Sequence, residues 1–473
     1  MKTLLTKNQN RLSTLIWRLL MLLAVPLCFG MDNHSLSLPQ CSQYTLDNGL
    51  RVMLLEHREQ PAVSFRMLVN AGTLDEPQGK EGTAVITARS LLQGCETMNA
   101  EETADMLSAI AARFNITVRA PYTSLELDAL TAAADTGFNI LADIILTPRF
   151  ASEGIRRVKR EQRAMLEYEM LDNHTIAAKH ARRLLFGENH PLGRPATAAS
   201  LGGISASDAK SYWQRYYRPN NCTLIIIGDY DKEKMISLIK TRFAGRQSGN
   251  IQRRRHTPPG LTHRGRLLLV DKPGMTQAVI HMLSPAPGSG SDDRWAFATL
   301  DYTLGGGGFS SRLMSAVRSE GGRAYAVWSS YQNAPDFGLL SITTSTQNET
   351  AAATYSQITG QIESLSRDGI TTAELNAAKS HKIGEIPLRL ESPADIANLL
   401  LRYEANYPGR GYDELSGILE RYRQLTREEV NRAAGKYIDP ARFDVVILCD
   451  LDKIRGQFES RYEFEEIKFT KGI

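Results

Sequence analysis

Residues 204–229 read ISASDAKSYWQRYYRPNNCTLIIIGD, and residues 425–450 read LTREEVNRAAGKYIDPARFDVVILCD. Laid side by side without a gap, Ile204 meets Leu425, Tyr216 meets Tyr437, Pro219 meets Pro440 and Asp229 meets Asp450. A constant offset over this length predicts two copies of one structural unit. In each copy Ser205 or Thr426 stands where a helix N-cap belongs, and an amphipathic helix follows. A proline turn then leads into a β-branched strand, Thr223 to Ile227 in the first copy and Val445 to Leu448 in the second.

Upstream of the first copy, RVMLLEH and SFRMLVNAG read as short strands, followed by a helix from about Gly82 to Leu92 and another from Ala100 to Ala112. ITVRAP and SLELDAL read as two more strands, and two long helical stretches then reach Phe186. Strands and helices come in runs instead of strict alternation, which predicts helices packed on one face of a mainly antiparallel sheet. The expected fold is α+β with two homologous domains, residues 40–244 and 266–465. The segment between them, residues 245–265, is polar and basic, carries Pro258 and Pro259, and reads as an exposed linker.

The 473 residues, 42% hydrophobic and 23% charged, suit a soluble globular chain too long for one core. The net charge of +4 is small, and Arg253, Arg254 and Arg255 form a short cluster without interleaved aromatics, so no nucleic-acid partner is expected. Residues 1–30 have the layout of a signal peptide or membrane anchor: Lys2, Lys7, Arg11 and Arg18 precede the apolar run Leu19 to Phe29. Export, to a bacterial periplasm, is the expected destination; a mitochondrial presequence is the alternative, and an uncleaved leader would tether the chain to a membrane. Beyond the leader Cys41, Cys95, Cys222 and Cys449 remain, either paired in an oxidising compartment or buried as free thiols.

The stretch NAGTLDEPQGKEGTAVITARSLLQG, residues 70–94, is similar to the segment of the pitrilysin/insulinase metallopeptidase family that carries the inverted motif His-x-x-Glu-His. YYRPNNCTLIIIGD, LGGGGFSSRLMSAVRSEGGRAYAV and the two-domain repeat extend the resemblance over nearly the whole chain after the leader. Subunits of mitochondrial processing peptidase and short bacterial homologues are nearest in pattern. Zinc chemistry requires two imidazoles one helical turn apart, with a carboxylate between them that takes a proton from the metal-bound water. Those three places hold Val85, Ala88 and Arg89. The first two have no donor atom, and a guanidinium repels a divalent cation.

The family's third ligand, a glutamate, falls within EQRAMLEYEM, where Glu167 or Glu169 could stand. Both read as surface charges on a helix; whether Arg89 is merely tolerated in the dead site or pairs with Glu167 or Glu169 is left open by the sequence. None of the nine histidines forms an i, i+4 pair enclosing a glutamate, and Glu56-His57-Arg58-Glu59 reads as a loop at a strand end. No metal or other cofactor is expected in this chain.

The resemblance assigns a role to Arg318 and Tyr325, which match an arginine and tyrosine that bind the substrate backbone and stabilise the tetrahedral intermediate. A guanidinium and a phenol supply suitable donors to a developing oxyanion. Gly305, Gly306, Gly307 and Gly308 resemble the mobile glycine-rich loop of the non-catalytic subunit of mitochondrial processing peptidase. The resemblance therefore implies a non-catalytic subunit of a heterodimeric zinc metalloendopeptidase acting on peptides or unfolded polypeptides. A homologous partner would bring the zinc, and this chain alone would hydrolyse nothing. The alternative is a peptide-binding or structural protein of the same fold without catalysis; a homodimer is also open. A serine nucleophile at Ser310 or Ser311 finds no histidine partner in local sequence.

Overall fold

The computed structural model describes residues 36, 38–252, 256, 259–320 and 324–470, so the leader and the arginine cluster at 253–255 lie outside the described residues. In the first half the strands are β1 (Cys41–Thr45), β2 (Arg51–Glu56), β3 (Ala62–Val69), β4 (Arg113–Val118), β5 (Thr123–Leu130) and β6 (Cys222–Gly228). In the second they are β7 (Leu267–Asp271), β8 (Gln277–Ala286), β9 (Ala324–Asn333), β10 (Gly338–Gln347), β11 (Asp444–Cys449) and β12 (Glu465–Lys468). The sheets run β1-β2-β6-β3-β5-β4 and β12-β7-β11-β8-β10-β9. Apart from the first strand of each, the orders superimpose. β2 pairs with β6, and β7 with β11, in parallel, and the rest of each five-strand set is antiparallel. The repeat in sequence is a repeat of topology.

The helices of the first half are α1 (Thr83–Ser90), α2 (Ala100–Ala109), α3 (Ala134–Leu146), α4 (Ser152–Glu169), α5 (Asn173–Phe186), α6 (Ala198–Gly203), α7 (Ala206–Tyr216) and α8 (Lys232–Phe243). Those of the second are α9 (Arg294–Asp301), α10 (Arg312–Met314), α11 (Ala351–Asp368), α12 (Thr372–Leu388), α13 (Pro393–Asn406), α14 (Gly411–Ser416), α15 (Ile418–Gln424), α16 (Arg427–Tyr437) and α17 (Leu451–Phe458). The two helical stretches expected before Phe186 are three. Pro148 prevents α3 from continuing, and the Asp172 side chain accepts from the amides of His174 and Thr175 to start α5 afresh. Both caps of the repeat form: Ser205 accepts from the Asp208 amide at 3.1 Å, and Thr426 from the Glu429 amide at 3.2 Å. Among the described residues no helix is long and apolar enough to cross a membrane.

β6 and β11 are buried along their whole length, because each sheet is covered on both faces. Helices of its own half pack on one face. The other face is taken by a helix from the opposite half: Ile176, Ala177, Ala181 and Leu185 of α5 join Val279, Leu283, Val446 and Leu448 of the second sheet in one core. Reciprocally, α13 lies on β3 and β6. There Arg66, 1% exposed, bonds Asn398 at 2.8 Å and pairs with Asp128 at 2.8 Å. Glu404 of α13, also 1% exposed, pairs with Arg51 of β2 and accepts from the amides of Gly409 and Gly411. A buried carboxylate satisfied in this way does little for net stability while intact, but is costly to break.

Ahead of β7, His263 Nε2 lies 2.7 Å from the buried Asp444 carboxylate, which also accepts from the Arg266 amide. Cys41, Cys95, Cys222 and Cys449 are free thiols. Burial pushes those of Cys41, Cys222 and Cys449 up to about 12, the chemistry of inert packing groups.

Candidate functional site

Each half contributes one cluster that the sequence singled out. The first is α1, whose N-cap Gly82 has φ +104, in the left-handed region, with Leu201 pressed against the place a Cβ would fill. The buried Glu76 carboxylate accepts from the amides of Gly82 at 3.0 Å and Ala84 at 2.8 Å, serving donors that a helix start leaves unpaired. Burial pushes this carboxyl up to about 8, against the pull of those two amides.

On this helix Ala88 is fully buried, Val85 half-buried and Arg89 exposed. The positions that would carry two imidazoles and a carboxylate therefore present a methyl group, an isopropyl group and a cation, a donor set that does not fit zinc. Among the described residues no group of three His, Cys, Asp or Glu side chains is placed to hold a metal ion. Of the two alternatives left open for Arg89, the pairing with a carboxylate of α4 does not form among the described residues. Glu169 is engaged with Lys179 at 2.8 Å, Glu167 is exposed, and Arg89 is in no ion pair among the described residues. Lys179, one helix on, satisfies that acid instead.

In the second half α9 does not stop at its glycines. It widens into a π-helical turn, Tyr302–Gly306, followed by a single turn, Gly308–Ser310, and then by α10. Such widened turns put an extra residue into the helix and recur at functional sites. The glycines expected to form a mobile loop are instead packed in part. A Cβ at Gly305 would stand 2.4 Å from the Ser329 amide nitrogen, and one at Gly307 2.7 Å from the Tyr302 carbonyl. Only Gly308, at φ +61 with open space around it, needs glycine for its backbone alone. Asp301 ties this turn to the edge strand β9, accepting from Ser329 Oγ at 2.6 Å and the Tyr331 amide at 3.1 Å. Burial raises its carboxyl above the ordinary range. Ser310 and Ser311 bond local carbonyls, and Ser311 caps α10, so neither is a nucleophile held by a base.

After α10 a second π-helical turn, Ser315–Glu320, carries Arg318, and β9 carries Tyr325. The fold brings them together, with the guanidinium carbon 5.1 Å from the centre of the Tyr325 ring. A third residue closes the group: Phe309, on the turn after the glycines, has its ring centre 4.8 Å from the same carbon. The guanidinium thus contacts two aromatic rings, which stand 77% (Phe309) and 85% (Tyr325) exposed. Among the described side chains no carboxylate pairs with Arg318, and its contacts there are the two rings. Sequence reasoning missed Phe309. The available signal was a single bulky aromatic set directly after four glycines.

Two topologically equal sheets, a helix without metal ligands at its zinc positions and an arginine between exposed rings describe a metallopeptidase-type fold with no metal centre among the described residues. Residues 51–195 match the family described as Insulinase (Peptidase family M16), and residues 203–381 match the Peptidase M16 inactive domain. The chain belongs to this family. It is 29% identical over 414 residues to an uncharacterized zinc protease of Mycobacterium tuberculosis, covering 85% of this chain and 92% of that protein. A non-peptidase homolog of Helicobacter pylori is 24% identical over 356 residues, 74% of this chain and 80% of that one. Among solved structures, the peptidase M16 inactive domain from Pseudomonas fluorescens superimposes with a TM-score of 0.78 at 22% identity, covering 86% of this chain and 97% of that one. A protease from Helicobacter pylori does so with a TM-score of 0.80 at 19% identity, covering 87% of this chain and all of that one. At these identities the structures speak for the fold alone.

Proposed function

We propose that this chain is the non-catalytic member of a two-chain zinc endopeptidase, gripping peptides or unfolded polypeptides through Arg318 and Tyr325 while a homologous partner supplies zinc and the activated water. The observation that carries this reading is the Arg318 guanidinium, contacted by two exposed rings and unclaimed by any described carboxylate, in a chain whose zinc positions are Val85, Ala88 and Arg89. A guanidinium and a phenol aimed at a bound carbonyl stabilise the negative charge that grows on its oxygen during attack by water, an effect worth a hundredfold or more in rate when one such donor is lost. Export to a periplasm, where unfolded chains are degraded, belongs to the same proposal and rests on the layout of residues 1–30.

The name non-peptidase homolog borne by the Helicobacter pylori relative favours a second reading, a protein that binds peptides and never takes part in their cleavage. Recovery of the tagged chain from its own cells separates the two. Under the first reading a zinc-bearing homologue accompanies it and the pair cleaves peptides. Under the second the chain comes down without such a homologue and without activity, yet still binds peptide.

A further inference from the structure

Three helices of the first half end around one recess. α3 stops at Leu146 ahead of Pro148, α7 at Tyr216 ahead of Pro219, and α8 at Phe243. Helix C-termini leave carbonyls without an amide partner and favour cations. Arginines meet them here. Arg218 donates from Nε to the Gln214 carbonyl at 2.6 Å, and Arg246 from its two terminal nitrogens to the carbonyls of Leu146 at 3.1 Å and Tyr217 at 3.3 Å. The Arg246 guanidinium also lies over the Trp213 ring, 4.1 Å from its centre. The Asn48 amide group donates to the carbonyls of Phe243 at 2.7 Å and Arg246 at 3.0 Å, which pins the turn that carries this arginine. The third, Arg242, donates to Asn139 at 3.2 Å and pairs with Asp143. All three arginines line a surface recess of about 470 Å³, together with Thr147 and Gln247.

The charges in this recess do not balance. Asp143 answers Arg242, and among the described residues no carboxylate pairs with Arg218 or Arg246. Three guanidiniums less one carboxylate leave two positive charges, which helix ends worth about half a charge each offset only in part. Burial, with the Arg218 charge close by, pulls the Arg246 guanidinium below its ordinary range, so the two cations are held together at a cost. The carbonyls explain where the guanidiniums sit and leave their excess charge unmatched.

We propose that this recess binds the phosphate group of a phosphate monoester, gripped by Arg218, Arg246 and Arg242. Such a group carries a charge of about −1.5 to −2 at neutral pH and three acceptor oxygens, which matches the two unanswered charges and suits planar guanidinium forks. A carboxylate, with one charge, would leave one of them unmatched. The site stands apart from Arg318 and does not depend on the peptide-binding reading. Its ligand is either a soluble phosphate or the phosphate headgroup of a lipid.

The test uses the full chain at constant ionic strength, with inorganic phosphate in titration calorimetry and phosphatidylcholine vesicles, with and without phosphatidic acid, in sedimentation. Arg218→Gln should weaken binding about tenfold, about 1.4 kcal/mol, and Arg218→Lys, which keeps the charge without the fork, should weaken it less. Arg367→Gln, which removes an exposed cation of α11, should leave binding unchanged. The melting temperature of Arg218→Gln without phosphate should stay close to that of the wild type, since the bond it loses is exposed. Phosphate binding lost in Arg218→Gln, with no retention owed to phosphatidic acid, upholds the site with a soluble ligand. Retention by phosphatidic acid that Arg218→Gln abolishes upholds it with a lipid. If the wild-type chain binds neither probe, or if Arg218→Gln and Arg367→Gln reduce binding alike, the proposal is wrong.

Discussion

The guanidinium carbon of Arg318 lies 5.1 Å from the centre of the Tyr325 ring, although one residue is on a widened helical turn and the other on an edge strand. Both can change without disturbing a core, which makes their contribution separable from folding. In the proposed complex with a zinc-bearing homologue, Arg318→Ala should lower kcat/KM by about a hundredfold to a thousandfold, and Tyr325→Phe by about tenfold. Stability should move by less than about 0.5 kcal/mol for Tyr325→Phe, since the ring is 85% exposed. Steady-state kinetics and a thermal melt on the same preparations check this.

Glu404 behaves oppositely. Its carboxylate is 1% exposed and serves Arg51 across the boundary between the halves and the amides of Gly409 and Gly411 within its own half. Glu404→Ala leaves the arginine and both amides without their acceptor, and should cost about 3–5 kcal/mol in urea unfolding. Glu404→Gln, which keeps one acceptor oxygen, should cost less.

The glycine turn makes a prediction of contrast. Gly305→Ala drives a methyl group to 2.4 Å from the Ser329 nitrogen and should destabilise by about 1–3 kcal/mol as β9 shifts. Gly308→Ala meets open space and should cost only the left-handed backbone, about 1 kcal/mol. Equal losses in chemical denaturation at the two sites would mean that the turn is not packed as described.

Acid should weaken the fold already above the range in which ordinary carboxylates titrate. Burial, with Arg183 nearby, holds the His180 imidazole down at about 4. Burial with His256 and Arg194 does the same to His190, and burial with Arg182 and His174 to His281, each to about 4. These groups bind protons more readily in the unfolded chain, near the ordinary value of 6.5. Their contribution is complete above pH 6.5 and is lost as pH falls towards 4, with a slope of up to about 1.4 kcal/mol per pH unit for each histidine. His180, 4% exposed with no partner for Nε2 among the described residues, should supply about a third of this slope. Urea unfolding at several pH values should show this slope, and His180→Phe should flatten it.

The repeat from Ile204 and Leu425 announced both central strands and their caps, because a capping box and a continuous apolar run are local signals. The offset also announced two copies of one unit, whose strand order only the structure gives. Other features are non-local and left no trace of that kind. The apolar positions of α5 announce a buried face but not that the sheet it covers belongs to the other half, since amphipathicity names no partner. The Arg51 to Glu404 pair joins residues far apart in the chain for the same reason. At the site, the absence of metal ligands was readable from residue types alone, and the meeting of Arg318 with Tyr325 was carried by the family resemblance. The widened turn that places Phe309 over Arg318 depends on how Gly305 packs against Ser329, which composition does not encode.

The central claim is that half of an active site resides here and needs a partner. The most direct test is to recover the tagged chain from its own cells and measure zinc and peptide hydrolysis on the chain alone and on whatever accompanies it. The account predicts a zinc-bearing homologue, hydrolysis only by the pair, and loss of that hydrolysis with Arg318→Ala. Zinc-dependent hydrolysis by the isolated chain, or a pair whose activity ignores Arg318, would contradict it.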